Sequence, residues 1–161
     1  MFREMRRSSQ LLSKEKCVEV LSGAPRGVLS VLGDDGWPYG MTLNFVYDPT
    51  QGELGSIFFH TALEGHKVDA MAACDKVSFT TIDDGFQNEG EWWWHFNSVV
   101  CFCRASVIED PQRKHDALTA LAEKYFPPSI DIEADIAKNG HRINMMELKI
   151  VHMTGKIVQE K

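Results

Sequence analysis

Hydrophobic residues along this chain fall mainly in short alternating runs separated by segments rich in glycine, proline and aspartate, a rhythm of strands more than of helices. Ser13 reads as the N-cap of a short helix that turns Cys17, Val18 and Leu21 inward, and Gly23 and Pro25 stop it. Residues 27–32 and 39–47 predict two strands joined by the hairpin signal Asp34-Asp35-Gly36. A loop at 48–52 leads to a third strand over 56–61, and a helix is expected over about 65–74. Residues 76–82 predict a fourth strand, and the polar stretch 83–91 a loop. A long strand follows over 96–109, with Val99, Cys101, Cys103, Ala105 and Val107 on one face and Val100, Phe102, Arg104, Ser106 and Ile108 on the other.

Asp110-Pro111 combines an N-cap with proline at the first helical position, and Leu118, Leu121, Ala122 and Tyr125 give the helix that follows its apolar stripe. Phe126-Pro127-Pro128 ends it. Residues 130–138 predict another short helix, closed by Asn139-Gly140, and 145–153 a last strand in which Met146, Leu148 and Ile150 alternate with Glu147 and Lys149. Six strands, mostly linked by hairpins, imply an antiparallel sheet. With so few helices, the expected architecture is mainly β, a small six-stranded barrel with helices packed outside.

At 161 residues, the chain is expected to be a single domain over 1–161 with a real core, and a hydrophobic fraction of 43% argues against wholesale disorder. A net charge of −6 argues against a general nucleic-acid binder. No apolar run reaches the length of a membrane span, and the start MFREMRRSSQ is too charged for a signal-peptide core, so a cytoplasmic location is expected. The four cysteines show neither a disulfide framework nor a C-x-x-C pair; Cys101 and Cys103 read as buried thiols. The histidines lack metal-ligand spacing, so no metal site is expected.

The stretch with most chemistry is 57–72, IFFHTALEGHKVDAMA. A strand passes into a helix whose first turn carries Gly65, His66 and Lys67. Basic side chains at a helix N-terminus are unfavourable by about 0.3–1 kcal/mol unless an anion reverses the sign. Free N–H groups, the Thr61 hydroxyl and two basic side chains would together suit a phosphate. The plainer alternative is a surface turn in which Glu64 neutralises its basic neighbours.

Five segments in order, Gly36-Trp37-Pro38-Tyr39, Phe59-His60-Thr61, Gly65-His66-Lys67, Asp75-Lys76-Val77-Ser78-Phe79 and His152-Met153-Thr154-Gly155-Lys156, together with the opening Met1-Phe2-Arg3-Glu4-Met5-Arg6-Arg7, resemble the flavin-binding split-barrel superfamily that includes pyridoxamine 5′-phosphate oxidase. Within it the chain is most similar to the 5-nitroimidazole-resistance (Nim) family. The resemblance implies a homodimer of split barrels with FMN in the cleft between subunits. It places the phosphate at His66 and Lys67 beside Thr61 and Gly65, and the flavin ring and ribityl chain along Gly40, Met41, Thr42, Leu43 and Asn44. Phe59 and His60 fall in the same motif, with His60 read as a structural or cofactor-lining residue. Ser98 matches a position that reaches the partner's flavin. Trp92-Trp93-Trp94 reads as an interface, with Trp93 or Trp94 walling the flavin pocket.

The activity this implies is reduction of a small electron-poor molecule such as a nitro-heterocycle. His66 is the one candidate catalytic acid, and simple phosphate binding is the preferred account of it. The oxidase's C-terminal substrate-holding region has no counterpart here, which argues against pyridoxamine phosphate as substrate. Two other classes fit the same barrel: a flavin carrier without turnover, and a haem-handling protein, for which His60 or His152 would be the axial ligand.

Overall fold

The computed structural model describes residues 2–159; Met1, which opens the N-terminal motif, and residues 160–161 lie outside them. Four α-helices, α1 (Lys14–Gly23), α2 (His66–Ala73), α3 (Pro111–Tyr125) and α4 (Ile132–Asn139), surround seven strands: β1 (Gly27–Leu32), β2 (Pro38–Leu43), β3 (Val46–Asp48), β4 (Ser56–Ala62), β5 (Lys76–Ile82), β6 (Phe96–Val107) and β7 (Ile143–Val158). The strands form one sheet in the order β2-β1-β5-β6-β7-β4-β3, and every pairing is antiparallel.

Seven strands stand where six are expected, because the run 39–47 is two strands. Its first half pairs with β1, Thr42 opposite Val28; its second pairs with β4, Val46 opposite Phe58. β2 and β3 are the two edges of the sheet, so the turn at Asn44-Phe45 closes the barrel through the chain itself. The backbone there leaves both ladders, and a side chain takes their place. Tyr125 Oη accepts from Phe45 N–H at 3.1 Å, and its own proton faces Phe45 O at 2.9 Å and Pro25 O at 2.6 Å. Lys124 lies over the Phe45 ring, its ammonium 4.3 Å from the centroid, while donating to Ala24 O.

Local signals account for the helices. Ser13 Oγ accepts from Lys16 N–H, Asp110 from Arg113 N–H and Asp131 from Ala134 N–H, so three helices start on side-chain caps. The barrel core joins α1 (Cys17, Val20, Leu21) to Leu29, Phe45, Ile57, Phe59, Phe79, Val99, Cys101 and Leu148. A second cluster seats α3 on the other side, through Leu118 and Leu121 against Phe58, Ile108 and Met145.

Alternation along β6 holds through Cys103 and then fails. Val107 is exposed, while Ile108, expected outward, is buried under α3 with its N–H on Met145 O. The strand has by then left the barrel for the second cluster. The β6–β7 register shifts between Phe102 and Cys103, which face His152 and Ile150, so Val151 is the extra residue of a bulge that bends β7. That bend lets β7 run on beyond Met153 to Val158 and pair with β6 throughout.

Candidate functional site

β4 ends at Ala62, and three residues later comes Gly65, the N-cap of α2, whose φ of 128° and ψ of 167° belong to a region open essentially to glycine alone. Gly65 has no side chain to cap the helix; Val68 N–H turns back onto Gly65 O at 2.8 Å, which leaves the His66 and Lys67 N–H groups without a side-chain cap. His66 and Lys67 are the first two helical residues. The His66 ring stacks on Tyr39 of β2, centroids 4.5 Å apart and planes within 8°, so the hairpin β1–β2 sets its orientation. Its Nε2 lies 3.6 Å from Asp34 Oδ2, but that carboxylate is almost fully exposed and the pair is weak.

Thr61 is buried, and its Oγ has no hydrogen-bond partner. Such an orphaned hydroxyl costs about 1–3 kcal/mol if nothing meets it. The uncapped helix start and two adjacent basic side chains form a donor set suited to an anion, while the enclosed Thr61 hydroxyl stands without a partner one residue before the end of β4.

The exposed edge strand β2 runs beside this corner. Gly40 and Thr42 face outward, while Met41 and Leu43 lean on the core, so a ring lying along β2 would meet a glycine, a hydroxyl and unpaired edge backbone. Asn44 is exposed just beyond, and His60 faces outward on β4. Both border the same cavity beside α3 and α4. Phe59 is wholly buried in the core, so its side chain is not part of any surface site.

His60 has its pKa held below 6.5, first by desolvation and then by the charge of Lys67, so its ring is neutral at pH 7. NMR titration of His60 should give a midpoint below 6.5, and Lys67→Met should raise it only part of the way, because desolvation is the larger cause. A midpoint unmoved by Lys67→Met would remove the coupling.

Two expected site residues lie apart from this group. Ser98 is on β6, three strands across the sheet from β2, with its Oγ 3.4 Å from Lys156 O. Trp94 is exposed in the β5–β6 loop beside Trp92, and Trp93 is half-buried with its indole nitrogen unpartnered. Neither reaches α2 within one chain. Asn97, next to Ser98, is committed to Asp83, its N–H and amide both donating to that carboxylate at 2.8 and 2.6 Å. Among the described residues no group of three or more His, Cys, Asp or Glu is placed to hold a metal ion, and no helix is long and apolar enough to cross a membrane.

Sequence reasoning missed the stacking of Tyr39 on His66 and the helical wall that α3 and α4 raise beside Asn44 and His60. The first had a signal, Tyr39 following the Gly36-Trp37-Pro38 turn; the second depends on packing between distant segments.

Comparison with known proteins places this arrangement. A match to the family described as pyridoxamine 5′-phosphate oxidase spans residues 13–157, nearly the whole chain. The chain belongs to that family. No curated sequence matches the chain. Among solved structures, a Bacteroides thetaiotaomicron protein provisionally assigned to 5-nitroimidazole antibiotic resistance superposes with a TM-score of 0.74 at 20% identity, covering 91% of this chain and 86% of that one. An FAD-binding protein from Mycobacterium smegmatis gives 0.66 at 17% identity, over 94% of this chain and 99% of that one. A flavocytochrome from Azotobacter vinelandii gives 0.73 at 17% identity, over 98% and 73%. At these identities the likeness is one of fold: the split barrel of the pyridoxamine 5′-phosphate oxidase family.

Proposed function

We propose that this family member binds FMN along β2 and the start of α2, as a homodimer, and passes electrons to small electron-poor acceptors such as nitro-heterocycles. The observation that carries the reading is the uncapped, doubly basic start of α2 beside an exposed edge strand. Lys67 and the α2 N–H groups would hold the phosphate; His66, fixed against Tyr39, would lie beside it. Gly40 and Thr42 leave the face of β2 low and polar. Electron transfer is the chemistry FMN supplies when bound, and this chain's residues bind, orient and exclude water. Proteins of the same fold described as an FAD-binding protein and a flavocytochrome support the cofactor class.

The outer surface supports a second copy. Val28, Leu32, Phe102 and Val151 are all exposed on or beside the outer sheet face, where an apolar groove of about 420 Å³ runs between β1, β5 and β6. Trp92 and Trp94 add two large exposed rings. Apolar surface on this scale marks an interface. The haem reading has less support, because the His152 ring is stacked on Phe2 at 4.3 Å and its Nε2 lies 3.0 Å from Thr154 Oγ.

The test is turnover of a nitro-heterocycle with an external reductant under confirmed FMN saturation, alongside sedimentation at low micromolar concentration. The proposal predicts a dimer, and a His66→Gln variant that binds FMN more weakly yet keeps a measurable rate once saturated. A loss of about 10²–10⁴-fold at full occupancy would make His66 a general acid. A monomer that still holds flavin would contradict the shared cleft.

A further inference from the structure

Between α3, α4 and the barrel lies a cavity of about 350 Å³. Its walls are Leu118, Leu121, Ala122 and Phe126 of α3, Ile136 of α4 and Ile143 at the start of β7. Asn44, just past β2, and His60, on β4, also line it. Among the described residues neither side chain makes a hydrogen bond within the chain, so an amide and an imidazole stand ready at one end of an apolar chamber. The Tyr125 hydroxyl also borders it but is committed to backbone at Phe45 and Pro25.

The charged side chains that line the chamber are one-sided. Asp135 lines it, its carboxylate accepting from the Asn139 amide at 2.7 Å, and no lysine or arginine does. Lys124 is turned away to Ala24 O and the Phe45 ring. Lys67 is near enough to be felt at His60, but it stands on α2 outside the lining. His60 itself is neutral at pH 7, which leaves Asp135 as the one ionised wall group. An anion entering here would lose water, meet a carboxylate and find no cation in the lining; Lys114, behind the Ile143 wall, has its ammonium held on Ile143 O at 2.7 Å. A neutral ring with a carbonyl or nitro oxygen would bury its faces against the leucine and isoleucine walls and meet Asn44 and His60 with its polar edge. A volume near the lower end of the range for ligand sites suits one or two rings.

We propose that this cavity is a binding site for small uncharged ring compounds, seated between α3 and α4, hydrogen-bonded at Asn44 and His60, and closed to carboxylates and phosphates by Asp135. The proposal rests on the flavin reading only for its purpose, as the seat of the electron acceptor. It separates this chain from any use of a phosphorylated vitamin.

The experiment is calorimetric titration of benzamide and benzoate, rings of one shape that differ in charge, into the protein with and without FMN. Benzamide should bind at least about tenfold more tightly than benzoate in both forms, since a buried unpaired charge is costly. Ile136→Trp, which fills the chamber, should abolish benzamide binding and leave FMN affinity unchanged. Asp135→Asn, which keeps the shape, should narrow the gap between the two ligands and does not depend on the bulky variant folding. Benzoate binding as well as benzamide, benzamide binding unaltered in Ile136→Trp, or loss of FMN together with the cavity would each overturn the proposal; the last would make the chamber part of the flavin's own seat. Failure to bind FMN while benzamide binds as expected would reject the flavin reading and leave the cavity standing.

Discussion

Replacing Gly155 by alanine should destabilise the fold by about 1–3 kcal/mol, the range for overpacking a filled interior, while the same change at Gly23 should leave stability unchanged or raise it by about 0.5–1 kcal/mol. Gly155 lies on β7 where α1 and the segment before it pack most closely. Leu12 N–H donates to Gly155 O at 3.0 Å, and a Cβ at 155 would overlap Cys17 Sγ and come within 3.0 Å of Leu12 Cβ and Cδ1. Cys17 is buried in the core, so the sulfur has little room to retreat. Gly23, the last residue of α1, has nothing within 4 Å of its would-be Cβ. Urea midpoints of the two variants decide the matter. Equal midpoints would mean that α1 does not seat on the barrel as described.

The second large effect concerns the cofactor. Lys67→Ala should weaken FMN binding by about 10- to 150-fold, the equivalent of one charge-assisted hydrogen bond of about 1.5–3 kcal/mol. Lys76→Ala should leave FMN affinity within about twofold, since rim charges that touch no ligand contribute little. The comparison is controlled by position. Lys67 is half-buried on the first turn of α2, beside the uncapped N–H groups; Lys76 opens β5, exposed, paired in register with Arg104. Both changes remove one positive charge, so a general field effect would weaken binding alike. Dissociation constants measured by flavin fluorescence quenching separate the cases, and equal losses would move the phosphate site away from α2.

Much of this architecture was legible because local chemistry and tertiary packing agree. The strand at Lys76–Ile82 has the predicted bounds: Val77, Phe79 and Thr81 are buried in strict alternation, and polar residues flank it. Asp110 caps α3 as its sequence implies, with proline in the first turn. What escaped the pattern is where distant segments substitute for local signals. Nothing in the alternation of 39–47 announces a break at Asn44-Phe45, because Phe45 stays hydrophobic and inward while its backbone bonds pass to a tyrosine hydroxyl eighty residues away. Val107 and Ile108 exchange faces because α3 supplies a second core, and that helix begins only after them.

The candidate site divides in the same way. Gly65, His66 and Lys67 announce an anion site by residue type at a helix start, and the uncapped first turn fits that reading. Phe59 and His60 sit in one motif, yet strand alternation sends one into the core and the other toward the α3–α4 chamber. Ser98 on β6 and the exposed Trp94 in the loop before it lie across the sheet from β2, and nothing in their local sequence announces that separation.

The central claim is that α2 begins a site sized for one terminal phosphate. Titration of the flavin-free protein with FMN, FAD and riboflavin at equal ionic strength tests it most directly. The account predicts that FMN binds most tightly, that riboflavin, lacking the phosphate, binds at least about tenfold more weakly, and that Lys67→Ala brings FMN close to riboflavin without changing riboflavin's own affinity. Riboflavin binding as tightly as FMN to the unaltered protein would contradict it.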